Sequence, residues 1–229
     1  MSFDPTRVRA LCFDLDGTLA DTDDDYLRRA QRLIGPLGAL FPNRDPKPFL
    51  RWGLTTAISP LNTLMGFPDI LGIDDELVKL SNWFADRLGK DARGHWVLMA
   101  GVEAVLARLG QRYPLALVTA RSERSTRSFV EQFGLGSYFH LIAHAQAAKH
   151  AKPYPDPIRL CAEQWGLPPS AFLMIGDTAV DVRCGRRAGA QTIGVLCGFG
   201  SRRELEAAGA DLVIDHTTRL MDVLGDGLR

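Results

Sequence analysis

Neither sign of charge is in excess in this chain: lysine plus arginine number 27 and aspartate plus glutamate 27 among 229 residues. Without a global field, bulk electrostatics cannot hold the protein on nucleic acid or on an anionic membrane, and any attraction for an anionic substrate must be local. No apolar run reaches bilayer-spanning length, so no membrane helix is expected. The start, Met-Ser-Phe-Asp-Pro, has no basic region followed by an apolar stretch, and no secretory signal is expected. Cysteine is scarce and scattered. Cys12, Cys161, Cys184 and Cys197 form no Cys-x-x-Cys pair, which points away from a disulfide framework or zinc site and towards reduced, packed thiols in a cytoplasm. Internal repeats and low-complexity tracts are missing as well. What remains, 46% hydrophobic and 24% charged residues, is the balance of a soluble globular protein, long enough for one large domain with a smaller insertion.

Short apolar runs ending in Asp, Thr or Gly punctuate the chain. Val8 to Phe13 leads into Asp14, Leu115 to Val118 into Thr119, and Phe172 to Ile175 into Gly176-Asp177. Phe139 to Ala143, Gln191 to Leu196 and Asp211 to Ile214 are of the same kind. Between them lie helical patterns: Val102 to Arg112 with Val102, Val105, Leu106 and Leu109 on one face, Ser122 to Phe133, Asp156 to Trp165, and Thr178 to Ala188. Continuous apolar strands alternating with helices predict an α/β fold, a doubly wound, Rossmann-like parallel sheet covered on both faces. One stretch breaks the rhythm. About 80 residues separate the first strand from the helix at Val102, far more than a crossover needs. Prolines 36, 42, 46, 48, 60 and 68 keep any helices there short, with helices expected near Asp25 to Leu37 and Asp74 to Leu88. The expected organisation is a core of residues 1–20 and 98–229, with residues 21–97 inserted as a small helical cap.

In Phe13-Asp14-Leu15-Asp16-Gly17-Thr18-Leu19, two acids two apart on extended backbone project to the same side, and Gly17 lets the chain turn. Taken alone, an Asp-x-Asp reads best as a solvated acidic turn. The other strand ends alter that reading. Thr119 supplies a hydroxyl; Lys152 sits in Lys-Pro-Tyr-Pro-Asp-Pro before a helix; Gly176-Asp177-Thr178-Ala179-Val180-Asp181 places two acids one helical turn apart. In a parallel sheet the carboxyl ends of the strands share one edge, where ligands bind. Folding would thus gather Asp14, Asp16, Thr119, Lys152, Asp177 and Asp181 in one crevice. Four acids with one hydroxyl and one ammonium suit Mg²⁺ with a phosphoryl group better than a structural ion network.

With these motifs in this order, the chain resembles the haloacid dehalogenase (HAD) superfamily, in particular its phosphoglycolate phosphatase-like and β-phosphoglucomutase-like branch. The resemblance runs from about Val8 to Leu19 and about Gly101 to Ser201, and rests on Asp-Leu-Asp-Gly-Thr-Leu and Gly-Asp-Thr-x-x-Asp. It implies a Mg²⁺-dependent phosphomonoester hydrolase acting on a small phosphorylated metabolite, phosphoglycolate-like or sugar-phosphate-like, through an aspartyl-phosphate. Asp14 is then the nucleophile and Asp16 the general acid and base. Thr119 and the amide of Ala120 hold phosphate oxygens, and Lys152 neutralises charge on the phosphate and on Asp14. The metal takes the Asp14 carboxylate, the Asp16 main-chain carbonyl and the Asp177 carboxylate, with Asp181 acting through a metal-bound water or Lys152. The motif Thr is followed by Ala120-Arg121, and Arg121 is left between a substrate contact and the start of a helix. Lys149 lies near Lys152 but lacks its Pro-Asp context and is read as a surface residue.

The same core motifs are compatible with a phosphoryl-transferring sugar phosphomutase. A dehalogenase is disfavoured because Asp16 stands ready to protonate an alkoxide. From another class, a receiver-like signalling domain also combines Asp, Thr, Lys and Mg²⁺, but is shorter and has no inserted cap. The expected partner is a small phosphorylated substrate, with no nucleic acid or membrane, acting as a monomer or homodimer. Within the insertion, Arg51 is the candidate contact for the leaving group, with Lys47, Trp52, Thr55 and Thr56 nearby. Asp21, Asp23, Asp24 and Asp25 read as the start of a helix. His140, His144 and His150 read as ordinary surface or core histidines rather than a zinc site, and Arg202 and Arg203 as a solvated helix face.

Overall fold

The computed structural model describes residues 3–21 and 96–224. All of them fall in one compact unit, formed by Met1–Thr22 with Trp96–Arg229. The expected helices at Asp25 to Leu37 and Asp74 to Leu88, and the rest of residues 22–95, lie outside the described residues.

Six parallel strands form the sheet: β1 (Ala10–Phe13), β2 (Leu115–Val118), β3 (Phe139–Ala143), β4 (Phe172–Gly176), β5 (Gln191–Val195) and β6 (Leu212–Ile214). Their order is β3-β2-β1-β4-β5-β6. The central strands β1, β2 and β4 are apolar and buried throughout because both faces are covered, whereas β3 exposes His140 and β5 carries Gln191 and Thr192. Side chains alternate, so Leu11, Phe13, Leu115, Leu117, Leu173 and Ile175 enter one core, while Ala10, Cys12, Ala116, Val118, Phe172 and Met174 enter the other. The large side chains among them contribute about 1.5–3 kcal/mol each when sealed this completely, which favours apolar residues on both faces of the central strands.

The helices are α1 (Val102–Leu109), α2 (Glu123–Gln132), α3 (Asp156–Trp165), α4 (Ala179–Ala188), α5 (Arg202–Ala208) and α6 (Leu220–Leu224). The first core takes Val102, Val105, Leu106 and Leu109 of α1, Phe129 and Val130 of α2, and Leu220 and Leu224 of α6. The second takes Ile158, Cys161 and Ala162 of α3 and Cys184 of α4. Caps fix the helix starts: Ser122 accepts from the Ser125 amide, and Ser201 and Glu204 form a reciprocal box. α1 is shorter than the expected Val102 to Arg112. It stops at Gly110, and the amides of Arg112 and Tyr113 turn back onto the Leu109 carbonyl, which starts the descent into β2.

Beyond β1 the chain makes a tight turn over Leu15 to Ala20, then meets its own return. Ala20 bridges Leu98 in antiparallel fashion, Asp21 N–H donates to Val97 O at 2.8 Å, and Met99 N–H to Leu19 O at 2.9 Å. The outgoing and incoming segments of the insertion are therefore hydrogen-bonded to each other beside the end of β1.

Candidate active site

Strand order reverses between β1 and β4: β1 leads outward to β2 and β3, and β4 returns to its other side. Ligands in open α/β sheets bind at such a switch, outside the carboxyl ends. Phe13 is in register with Leu117 of β2 and Ile175 of β4. Asp14, one residue past Phe13, thus lies at the same level as the ends from which Thr119 and Asp177 emerge.

Asp14 is buried, and its backbone is tied by its N–H to Ile175 O at 2.8 Å. Lys152 precedes a cis Lys152–Pro153 bond and is 8% exposed. Its Nζ lies 2.6 Å from Asp14 Oδ1 and 2.6 Å from Asp181 Oδ1. The second oxygen of Asp181 accepts from the Thr178 N–H at 3.0 Å and Oγ1 at 2.6 Å, closing the first turn of α4. Asp181 is therefore both a helix cap and the partner of the buried ammonium. Asp177 is fully buried, and one oxygen accepts from the Phe199 amide at 2.8 Å. Thr119 Oγ1 accepts from the Arg121 amide at 3.1 Å, leaving its proton to donate elsewhere. Ala120 beside it is exposed.

One ammonium faces three buried carboxylates. Burial, reinforced by Asp181 and Asp16, pushes the Asp14 carboxyl up to about 7 despite the pull of Lys152. Burial first, then Asp181 and Asp14, raise Asp177 well above the usual carboxylate range, while the Phe199 amide works against them. For Lys152 burial opposes the charge, but Asp14 and Asp181 outweigh it and hold the side chain protonated beyond an ordinary lysine. The pocket has too much negative charge for its own cations.

Oxygens of Asp14, Asp177 and Asp181 lie within 4.8 Å of one another. Asp177 Oδ1 is buried with no hydrogen-bond partner among the described residues. A sealed carboxylate oxygen left unpaired costs about 1–3 kcal/mol or more, so the cluster as it stands is short of a cation. The backbone is also shaped around Asp177. Gly17 holds φ at 69°, and a Cβ there, or at Gly198, would run into the Asp177 carboxylate. An all-oxygen set with one idle oxygen fits a hard divalent cation. His140, His144 and His150 do not join it: His140 accepts from the Leu115 amide, His144 lies by Gln146 and Glu123, and His150 pairs with Asp156 at 3.0 Å.

The sequence profile of haloacid dehalogenase-like hydrolases matches residues 11–195, which takes in β1, the insertion and the strands through β5. The chain belongs to that family. A phosphoglycolate phosphatase from Chromobacterium violaceum is 30% identical over 96% of this chain and 98% of its own length. An N-acetylmuramic acid 6-phosphate phosphatase from Pseudomonas putida is 30% identical over 97% and 98%, respectively. A predicted phosphatase from Clostridium acetobutylicum, known from its crystal structure, superposes with a TM-score of 0.67 at 23% identity, covering 95% of this chain and 98% of that one, and shares the fold.

Within this haloacid dehalogenase-like frame, Asp14, Lys152, Asp177 and Asp181 meet directly. Thr119 stands at the adjacent strand end, and Asp16 turns its carboxylate onto Arg121 instead of into the cluster. Lys149 is exposed, and Arg202 and Arg203 lie on the exposed face of α5. Arg51, with Lys47, Trp52, Thr55 and Thr56, lies outside the described residues, as do Asp23, Asp24 and Asp25. Sequence reasoning passed over the Phe199 amide and the Gly198 contact, although Cys197-Gly198-Phe199-Gly200 directly after an apolar strand was a visible sign of close backbone approach. It also left the partner of Arg121 unassigned. Nothing local signals that pair, because the two residues are 105 positions apart.

Proposed function

We propose that this haloacid dehalogenase-like hydrolase cleaves a small phosphomonoester by passing the phosphoryl group through the carboxylate of Asp14. The observation that carries the reading is the meeting of Asp14, Asp177, Asp181 and Lys152 at the switch point, with Asp177 Oδ1 unpaired. In the first step an Asp14 oxygen bonds to phosphorus as the bond from phosphorus to the ester oxygen breaks, and Asp16 passes its proton to the departing oxygen, giving an alcohol. In the second step a water oxygen bonds to phosphorus, the bond to Asp14 breaks, and the water's proton goes to Asp16. Thr119 Oγ1 and the Ala120 N–H donate to phosphate oxygens, and Lys152 keeps Asp14 and the incoming phosphate from repelling one another. The carboxylates of Asp14 and Asp177 and the carbonyl of Asp16 would hold Mg²⁺, which would supply positive charge against the phosphoryl oxygens. Asp181 orients Lys152.

The same reading makes residues 21–97 a cap over a core of 1–20 and 98–229, with Arg51 its contact to the leaving group. Relatives that act on phosphoglycolate and on N-acetylmuramic acid 6-phosphate support a phosphorylated acid or sugar as substrate. Four free cysteines support a reducing, cytoplasmic setting, and action as a monomer or homodimer belongs to the same proposal. Asp14→Asn tests the core claim. It keeps the shape of the side chain but removes the nucleophile, and phosphate release from p-nitrophenyl phosphate and a sugar-phosphate panel should fall by at least about 10³-fold with the fold intact. Undiminished release would overturn the assignment.

A further inference from the structure

Arg121 links Asp16 to the segment that returns from the insertion. Its Nε donates to Asp16 Oδ2 at 2.6 Å and its Nη2 to Asp16 Oδ1 at 2.5 Å. Two parallel hydrogen bonds between planar groups fix the rotation of the carboxylate as well as its distance. Behind this pair stands Trp96, with the guanidinium carbon 4.1 Å from the centre of its ring. Trp96 packs edge-on against Phe129 of α2 at 5.5 Å, and its own N–H has no hydrogen-bond partner among the described residues. Its ring contacts, not its polar atom, account for its placement. The backbone of Arg121 is pinned too, its N–H to Thr119 Oγ1 at 3.1 Å and its carbonyl by the Ala145 amide at 2.9 Å.

Two other roles for Arg121 fit these contacts less well. A partly exposed ion pair adds little stability, and here the two side chains are 26% and 29% exposed. A substrate clamp would keep its donors for the ligand, yet Nε and Nη2 are spent on Asp16, Nη1 lies 3.5 Å from Ser125 Oγ, and one face is covered by Trp96. What the arrangement supplies is orientation. We propose that Arg121 is the positioning residue for the acid–base carboxylate of Asp16, and that Trp96 braces Arg121 for that task. The inference rests on the phosphatase reading above, and it makes Trp96, on the segment that returns to the core, part of the apparatus that aims the proton-transferring group.

The test is a double-mutant cycle read with p-nitrophenyl phosphate and one sugar phosphate, both with Mg²⁺. Arg121→Ala should lower kcat about 10–100-fold, the loss typical of a misaimed catalytic group, with KM changed less than about threefold. Arg121→Lys, which keeps one hydrogen bond but not the fork, should lie between the two, and Trp96→Leu should move kcat in the same direction by less. In an Asp16→Ala background the further change Arg121→Ala should cost less than about twofold, because a residue acting through Asp16 has nothing left to position. Should Arg121→Ala fail to fold, Arg121→Gln carries the same comparison. A rise in KM with kcat preserved would make Arg121 a substrate contact and overturn the positioning role. An equal loss in both backgrounds, or no loss in either, would overturn it as well. Failure of the wild type to release phosphate from any ester would instead remove the phosphatase reading itself.

Discussion

Lys152 is the buried cation that offsets the charge of Asp14 and Asp181 in this pocket. Its ammonium sits 2.6 Å from oxygens of both Asp14 and Asp181, and all three side chains are buried. Taking away one partner of a buried pair leaves uncompensated charge, at about 3–5 kcal/mol. Lys152→Met should therefore lose stability of that order in EDTA at neutral pH, measured by urea denaturation, and should lower kcat by at least about 10²-fold. Adding Asp181→Asn to Lys152→Met removes one stranded carboxylate and should return part of the stability but none of the activity. If Lys152→Met alone unfolded at the wild-type urea concentration, the ammonium would not be the group that balances this cluster.

The elements show which parts of this site were legible in the sequence. The central strands β1, β2 and β4 could be read because each is a run of apolar residues bounded by polar or glycine punctuation, and burial on both faces demands such runs. Asp14, Thr119, Lys152 and Asp177 could be read because each stands at the end of such a run or just before a helix, and a parallel sheet brings those ends together without knowledge of any rotamer. Arg121 could not be resolved the same way. It follows Thr119 and precedes the cap residue Ser122, and Thr119-Ala120-Arg121 suits a substrate contact or a helix start equally well. Its observed partner, Asp16, depends on the direction of two flexible side chains. The loop after β5 was likewise missed, since its contribution is backbone: the Phe199 amide bonded to Asp177 and the bare Cα of Gly198 against the same carboxylate. Gly198→Ala should consequently displace Asp177 and raise the Mg²⁺ concentration for half-maximal activity by about tenfold or more, the range seen when ligand support is disturbed. An unchanged Mg²⁺ titration would show that the loop can move aside at no cost.

Over the whole molecule charge is balanced, 27 against 27, yet the switch point concentrates three carboxylates on one ammonium. That local excess couples folding to protons and to the metal. A carboxyl whose folded pKa lies above its unfolded value binds a proton more tightly in the folded chain. For Asp14, raised from 3.8 to about 7, the resulting stabilisation is complete below pH 3.8 and is lost as pH climbs through about 7. Asp177 is shifted in the same direction. Metal-free protein should therefore melt at a lower temperature at pH 8 than at pH 5.5. Mg²⁺ held as proposed would need these carboxylates ionised, so protons would compete with it at the lower pH. At about 100 times its dissociation constant the ion adds about 2.7 kcal/mol. For a chain of this size that corresponds to a rise of about 5–10 °C at pH 8, using about 2–4 °C per kcal/mol, and it should shrink by at least half at pH 5.5. Thermal melts in EDTA and in saturating Mg²⁺ at the two pH values measure both effects, and Asp177→Asn should erase the Mg²⁺-dependent part. A Mg²⁺ shift of equal size at both pH values would mean that the ion binds away from these carboxylates.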